Sequence, residues 1–317
     1  MENIKKIDIT KIALRYGAVI FFFLLFLYNC IMTPNFIRIA TLQNLFVQSF
    51  PILLISFGLT LVIATANIDI SVGSGMALAA MIFALTIDGG LHPLMAFLLA
   101  LLVGAAFGWL CGVLVAKFEI QSMIVTMAMM YMLRGMARGL CGGSTINFQN
   151  SFLSGLSYYR VGDLIPIHLI IMLLFFAILY FVVEKTRYGT YIEAVGNNPK
   201  AARISGISVN KILISVYVIS AALAVVSGVE QSIMVMQADS SNIGLTKEFD
   251  AIAATVVGGT PMSGGRVNLV GTLFAALLLQ LINMMVNMNN IYYALAYVIK
   301  AVLIIGGVLI NTYIGKK

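Results

Sequence analysis

The chain has 317 residues, of which 61% are apolar and only 10% charged, with a mean hydropathy of +1.02. A water-soluble domain carries about 45–50% apolar and roughly 25% charged residues, so the composition excludes a water-facing globule and makes lipid the solvent. The formal charge of +7 would point to nucleic acid in a soluble chain; here it is read as basic cytoplasmic loops, and no nucleic-acid partner is expected.

At ~20 residues per crossing, with loops allowed for, the length accommodates about ten spanning helices. No period-two alternation runs through the chain, which argues against an outer-membrane barrel. The expectation is an all-α, polytopic membrane bundle forming a single transmembrane domain over 1–317. Lys5, Lys6 and Lys11 precede the first apolar run, about Ala13 to Met32. Bulky residues before Cys30 and the absence of a small-residue cleavage site favour an uncleaved first span. The second run, Leu45 to Ala66, breaks at Asn67-Ile68-Asp69-Ile70-Ser71, and the third covers Val72 to Ile87. Asp88-Gly89-Gly90 and His92-Pro93 form a turn before the fourth, Leu94 to Ala116. Here Gly104, Gly108 and Gly112 recur every fourth residue, a stripe that lets two backbones approach closely in lipid; Gly135 and Gly139 repeat the spacing in the fifth run, Ser122 to Leu140.

Residues 141–163 make the longest extramembrane stretch of the first half. Leu164 to Val183 follows, then a hydrophilic loop, 184–211. Beyond it come Ile212 to Met236, a polar stretch from Gln237 to Glu248, and a short apolar piece, Phe249 to Val257. The last ends in Gly258-Gly259-Thr260-Pro261-Met262-Ser263-Gly264-Gly265-Arg266, ahead of runs at Val267 to Met288 and Ile291 to Tyr313. Counting the short piece as a crossing gives ten spans. With the N-terminus inside, thirteen of the nineteen basic residues then face the cytoplasm. That bias places both chain ends in the cytoplasm of a bacterial inner-membrane protein, although 249–266 is also readable as a re-entrant element.

No hydrolytic, redox or metal site stands out. His92 and His168 are isolated, the three cysteines show no ligand spacing, and no metal or cofactor is expected. The glycine-rich run lacks the lysine and the following Ser/Thr of a phosphate-binding loop, so ATP is not expected to bind this chain. Charged residues within spans are the stronger lead, because each costs about 2.5–3.5 kcal/mol at mid-bilayer on insertion scales and must face protein or water. Asp69 with Ser71, Asp250 and Arg134 are the candidates for a translocation pathway, with Glu230 and Lys300 unassigned. The plainer alternative is that the two aspartates cap helices and Arg134 snorkels to an interface. In the cytoplasmic loop, Asn198 suits a helix N-cap, Pro199 the first helical position and Gly206 the residue past the end, which predicts a helix over Lys200–Ser205. Its small Ala201-Ala202 face and its charges suit a partner's groove; an ordinary solvated loop is the equal alternative.

Gly58-Leu59-Thr60-Leu61-Val62-Ile63 leads to Ile68-Asp69-Ile70-Ser71-Val72-Gly73-Ser74. Arg187-Tyr188-Gly189, Ala194-Val195-Gly196-Asn197-Asn198 and Ala201-Ala202-Arg203-Ile204-Ser205-Gly206-Ile207 follow. Phe249-Asp250-Ala251-Ile252-Ala253-Ala254, Gly258-Gly259-Thr260 and Gly264-Gly265 complete the set. Together these resemble the permease subunits of bacterial monosaccharide ABC importers, the ribose, xylose and galactose class, from about residue 45 to the end; Glu230 departs from that pattern. The resemblance implies a non-enzymatic permease in the vitamin B12-importer-like (type II) architecture. It implies a second permease copy or paralogue, a cytosolic ATPase subunit that binds the ATP, and a periplasmic or extracellular sugar-binding protein. It also makes Gly196, Asn197, Asn198, Pro199, Ala201, Ala202, Arg203 and Gly206 the element that meets the ATPase. An ion-coupled carrier using Asp69 or Glu230, a membrane protein that moves nothing, and a branched-chain amino acid permease are the rival readings.

Overall fold

The computed structural model describes residues 9–292 and 294–315, with side chains over 17–292 and 294–306. Lys5, Lys6, Lys316 and Lys317, which weigh in the orientation argument, lie outside the described residues. Each predicted apolar run is a helix: α1 Ile9–Met32, α2 Ile39–Ala64, α3 Val72–Asp88, α4 Pro93–Ala116 and α5 Ser122–Leu140. A strand β1 (Thr145–Asn147), a short helix α6 (Ser151–Ser157), and strands β2 (Arg160–Val161) and β3 (Ile165–Pro166) come next. Then follow α7 Ile167–Lys185, α8 Arg187–Asn197, α9 Pro199–Ile204 and α10 Val209–Val235. Strand β4 (Gln237–Asp239) and helices α11 Lys247–Val257, α12 Leu269–Met288 and α13 Ala294–Gly315 complete the chain.

The protein is an all-α membrane bundle. Among the described residues five helices, α2, α4, α7, α10 and α12, are long and apolar enough to cross a bilayer, while α3 is a shorter apolar helix. Helix α10 is central, packing on α2, α3 and α4. The glycine stripe of α4 makes the closest of these contacts. A Cβ at Gly108 would meet Tyr217 and Val218 backbone, and one at Gly112 would meet Ile214, so the two helices touch main chain to main chain. Gly135 and Gly139, at the same spacing on α5, have no atom within 4 Å of such a Cβ. A buried hydroxyl cluster ties α2 to α11 and α12, with Thr60 Oγ1 2.9 Å from Thr272 Oγ1 and 3.4 Å from Thr255 Oγ1.

Two irregular features divide the ends of the bundle. At one end β1 and β4 pair antiparallel, Thr145 opposite Asp239 and Asn147 opposite Gln237. At the other, residues 258–268 rest on α8 and on the last turn of α2. The chain therefore passes from one end of the bundle to the other through residues 240–257, of which only the eleven of α11 are helical. The structure thus gives the short apolar piece a non-helical lead-in.

Candidate functional site: a two-helix knob seated on the end of α2 and the glycine-rich turn

Helices α8 and α9 form the knob. Asn198 separates them, its Oδ1 accepting from Lys200 N at 3.1 Å and Ala201 N at 3.0 Å, while Pro199 occupies the first turn, where a missing N–H costs nothing. Gly206 closes the helix at φ +84, a value that suits glycine. Within α9 only Ala202 is buried; Lys200, Ala201, Arg203 and Ile204 project outward, Ile204 being 89% exposed. The helix read from the cap signals is present one residue early. The preceding helix α8 had been hidden inside an apparently polar loop.

Helix α8 carries the contact with the bundle. Gly189, Ile192, Val195 and Gly196 are its buried residues. A Cβ at Gly196 would collide with the Ala64 carbonyl oxygen and the Gly265 amide. Asn197 Nδ2 donates to Gly265 O at 3.2 Å, Glu193 Oε1 accepts from Val267 N at 3.0 Å, and Gly265 N donates to Ala64 O at 2.8 Å. The Tyr188 hydroxyl lies 2.6 Å from Ser215 Oγ on α10; burial raises that phenol's pKa, partly offset by the hydrogen bond to Ser215. The knob therefore touches the end of α2, the glycine-rich turn that leads into α12 and the N-terminal part of α10.

The first break follows α2. Ala66 adopts φ +60, and the chain runs without regular structure to Ser71. Ile68 is held on both sides: its N–H donates to Ser122 Oγ at 3.2 Å and its carbonyl accepts from Thr126 Oγ1 at 3.3 Å. Asp69 is buried. Its Oδ1 accepts from the Ser71 amide at 2.9 Å and the Ser71 hydroxyl at 2.6 Å, and its Oδ2 accepts from Ser220 Oγ at 3.2 Å. Asp69 does not cap α3, whose N-cap, Ser71, makes no side-chain cap bond; it holds Ser71 in place ahead of the helix and fastens that entry to α10.

The second break, 240–246, is held by Arg134. Its Nη1 donates to Ser240 O at 2.9 Å and Ile243 O at 2.8 Å, and its Nη2 to Gly73 O at 3.3 Å. Arg134 does not snorkel; three main-chain carbonyls occupy it. Nor does Asp250 cap α11. It lies in the first turn and forms an ion pair with Lys300 of α13, at 2.9 and 3.0 Å. Of the four pathway candidates, only Asp69 and Ser71 share a hydrogen bond; Arg134 and Asp250 anchor separate elements. Glu230 pairs with His168 across α10 and α7 at 3.0 Å. Sequence reasoning missed Glu193, Tyr188 and both ion pairs, since each joins residues at least 27 positions apart.

Residues 41–308 match the family described as Branched-chain amino acid transport system / permease component. The chain is 37% identical to the ribose import permease protein of Escherichia coli over 88% of each chain. It is 33% identical to the ribose import permease protein of Bacillus subtilis over 97% of this chain and 95% of that one. It is 35% identical to the galactofuranose transporter permease protein of Escherichia coli over 81% of this chain and 75% of that one. No solved structure matches. The chain belongs to the branched-chain amino acid transport system / permease component family, as a multi-pass inner-membrane permease and not an enzyme.

Proposed function

We propose that this chain is the membrane subunit of an ATP-driven importer for a monosaccharide. The relatives at 33–37% identity carry the substrate reading, since their names specify ribose and galactofuranose. The mechanical reading rests on one observation: the exposed α9 knob is joined through Gly196, Asn197 and Glu193 to the ends of α2 and α12. A cytosolic ATPase that closes on Asn198, Pro199, Ala201, Arg203 and Gly206, with Ala202 buried beneath the contact, displaces α8. Helix α8 in turn displaces the inner end of α2, which leads into the first break, and residues 258–268, which are joined to the second break through α11. Asp69 with Ser71, and Arg134 with residues 240–246, then border the path that opens alternately to each side. Broken helices at membrane depth are tolerated where they are buried in protein or border a watery cavity, in keeping with that role.

The remaining parts of the reading are ten crossings in a type II arrangement, both chain ends in the cytoplasm, a second permease copy or paralogue, and a sugar-binding protein delivering substrate from outside. The basic-residue bias and the passage of 240–257 between the two ends of the bundle support this topology. ATP belongs to the partner; the permease itself needs no cofactor or metal.

Reconstitution of the permease with its ATPase and binding protein tests the proposal. Labelled ribose should accumulate only with ATP, and Arg203→Glu should abolish uptake while leaving the permease folded. Uptake that persists without the ATPase and follows an ion gradient would make the chain a secondary carrier. The family's description favours a second substrate reading, branched-chain amino acids. Binding of leucine and not ribose to the cognate receptor would select it.

A further inference from the structure

A cavity of about 470 Å³ lies between α4, α6, α7 and α10, near the β1–β4 end of the bundle and away from both breaks. This volume falls within the about 300–1,000 Å³ range of small-molecule sites. Leu94 of α4 and Phe152 and Leu156 of α6 line it and are also exposed, at 59%, 67% and 39%. These three residues mark its mouth. In a chain solvated by lipid, a mouth rimmed by leucine and phenylalanine opens into hydrocarbon and not water.

The interior holds a polar pair that the transport reading does not use. His168 Nε2 stands 3.0 Å from Glu230 Oε1, with His168 only 4% exposed. Neither Glu230 oxygen receives a well-aligned hydrogen bond, and His168 Nδ1 has no partner. Buried polar atoms are almost always paired, and an ionisable side chain at membrane depth marks a functional site by default. His92, the other titratable residue on the wall, already accepts from the Leu94 amide. Glu230 precedes the end of α10 at Val235 by five residues, about 7.5 Å of helix, which sets the pair just below the interfacial layer where amphiphile heads reside.

We infer that this cavity binds a single-chain amphiphile from the bilayer, its hydrocarbon tail along the apolar walls and an ammonium head donating to Glu230. An anionic head is disfavoured by the carboxylate, whereas an ammonium supplies both the missing charge and the missing donors. His168 Nε2, 3.0 Å from Oε1, flanks the carboxylate from the α7 side.

The experiment uses the full chain in nanodiscs with a long-chain alkylamine carrying a photoreactive tail, and maps labelled peptides by mass spectrometry. Labelling should concentrate in segments 94–97, 152–156 and 226–233 and exceed that of the matching alkyl carboxylate by about tenfold, the ratio expected for one charge-assisted contact. Glu230→Gln should remove that preference. Ile171→Trp, which fills the cavity from α7, should remove labelling by both probes, and it keeps the test decisive should Glu230→Gln fail to fold. Equal labelling by the two head groups, or labelling indifferent to Ile171→Trp, overturns the proposal.

Discussion

The amide of Gly265 donates to the carbonyl oxygen of Ala64 at 2.8 Å, joining the glycine-rich turn after α11 to the last turn of α2. Gly196 of α8 lies against both of these groups. Three segments far apart in sequence thus meet at a spot where no side chain fits. Gly196→Ala should force α8 off this seat, with an overpacking cost of about 1–3 kcal/mol. Thermal unfolding in detergent should shift downward and coupled uptake should vanish; normal uptake at unchanged stability would contradict the seating described.

Asn198 caps α9 through two amides. Its replacement by alanine should cost about 1 kcal/mol of local helix stability. A six-residue helix has little else to hold it, so amide exchange across 199–204 should accelerate selectively. Asn198→Asp retains the acceptor and should preserve both protection and transport.

Lys300 and Asp250 form a buried pair between α13 and α11. Removing one charge leaves the other stranded, at a cost of roughly 3–5 kcal/mol, whereas replacing both with apolar residues restores much of the loss. Lys300→Met should therefore destabilise strongly in a thermal-shift assay, and Asp250→Leu added to it should recover stability. A double variant worse than the single one would show that the pair is not the anchor.

Helix α4 should tolerate no side chain at Gly108, where a Cβ would meet Ala221 and the Tyr217 carbonyl, whereas Gly135 on α5 meets nothing within 4 Å. Gly108→Val should abolish folded protein. Gly135→Ala should fold normally, and comparing expression and size-exclusion profiles of the two separates them.

On the strand side, Asp239 accepts first from the Ser241 amide and also from Asn242, and these contacts hold its carboxyl below the usual carboxylate range. A depressed folded value means that the stabilisation is complete above the unfolded pKa, about 3.9, and is lost as pH falls through the folded one. Pepsin cleavage within 240–246 should rise steeply in that acid window for the native chain. Asp239→Asn should flatten the rise.

Most of the helices were legible because a bilayer demands about 20 apolar residues in succession, and α5 begins and ends where its apolar run does. The α9 helix was legible from Asn198, Pro199 and Gly206, since capping is local chemistry. Helix α8 was not. Its buried Gly189, Ile192, Val195 and Gly196 recur at helical spacing, but two of them are glycines, which carry no hydropathy signal. Neither sequence reading of Arg134, pathway residue or snorkelling side chain, identified its acceptors, Ser240 and Ile243, because these lie 106 and 109 residues downstream. Partners such as Lys300 for Asp250, or β4 for β1, are matters of tertiary placement that no local pattern encodes.

The non-helical stretch 240–246 has a cost that a helix would not carry. A buried carbonyl cannot borrow water, so those of Ser240 and Ile243 depend on one guanidinium reaching across from α5. Any tilt of α5 that withdraws Arg134 strands two acceptors at once, and the segment must then either follow the arginine or admit solvent. Only arrangements that give both acceptors a partner are then open to the segment, which ties its placement to that of α5.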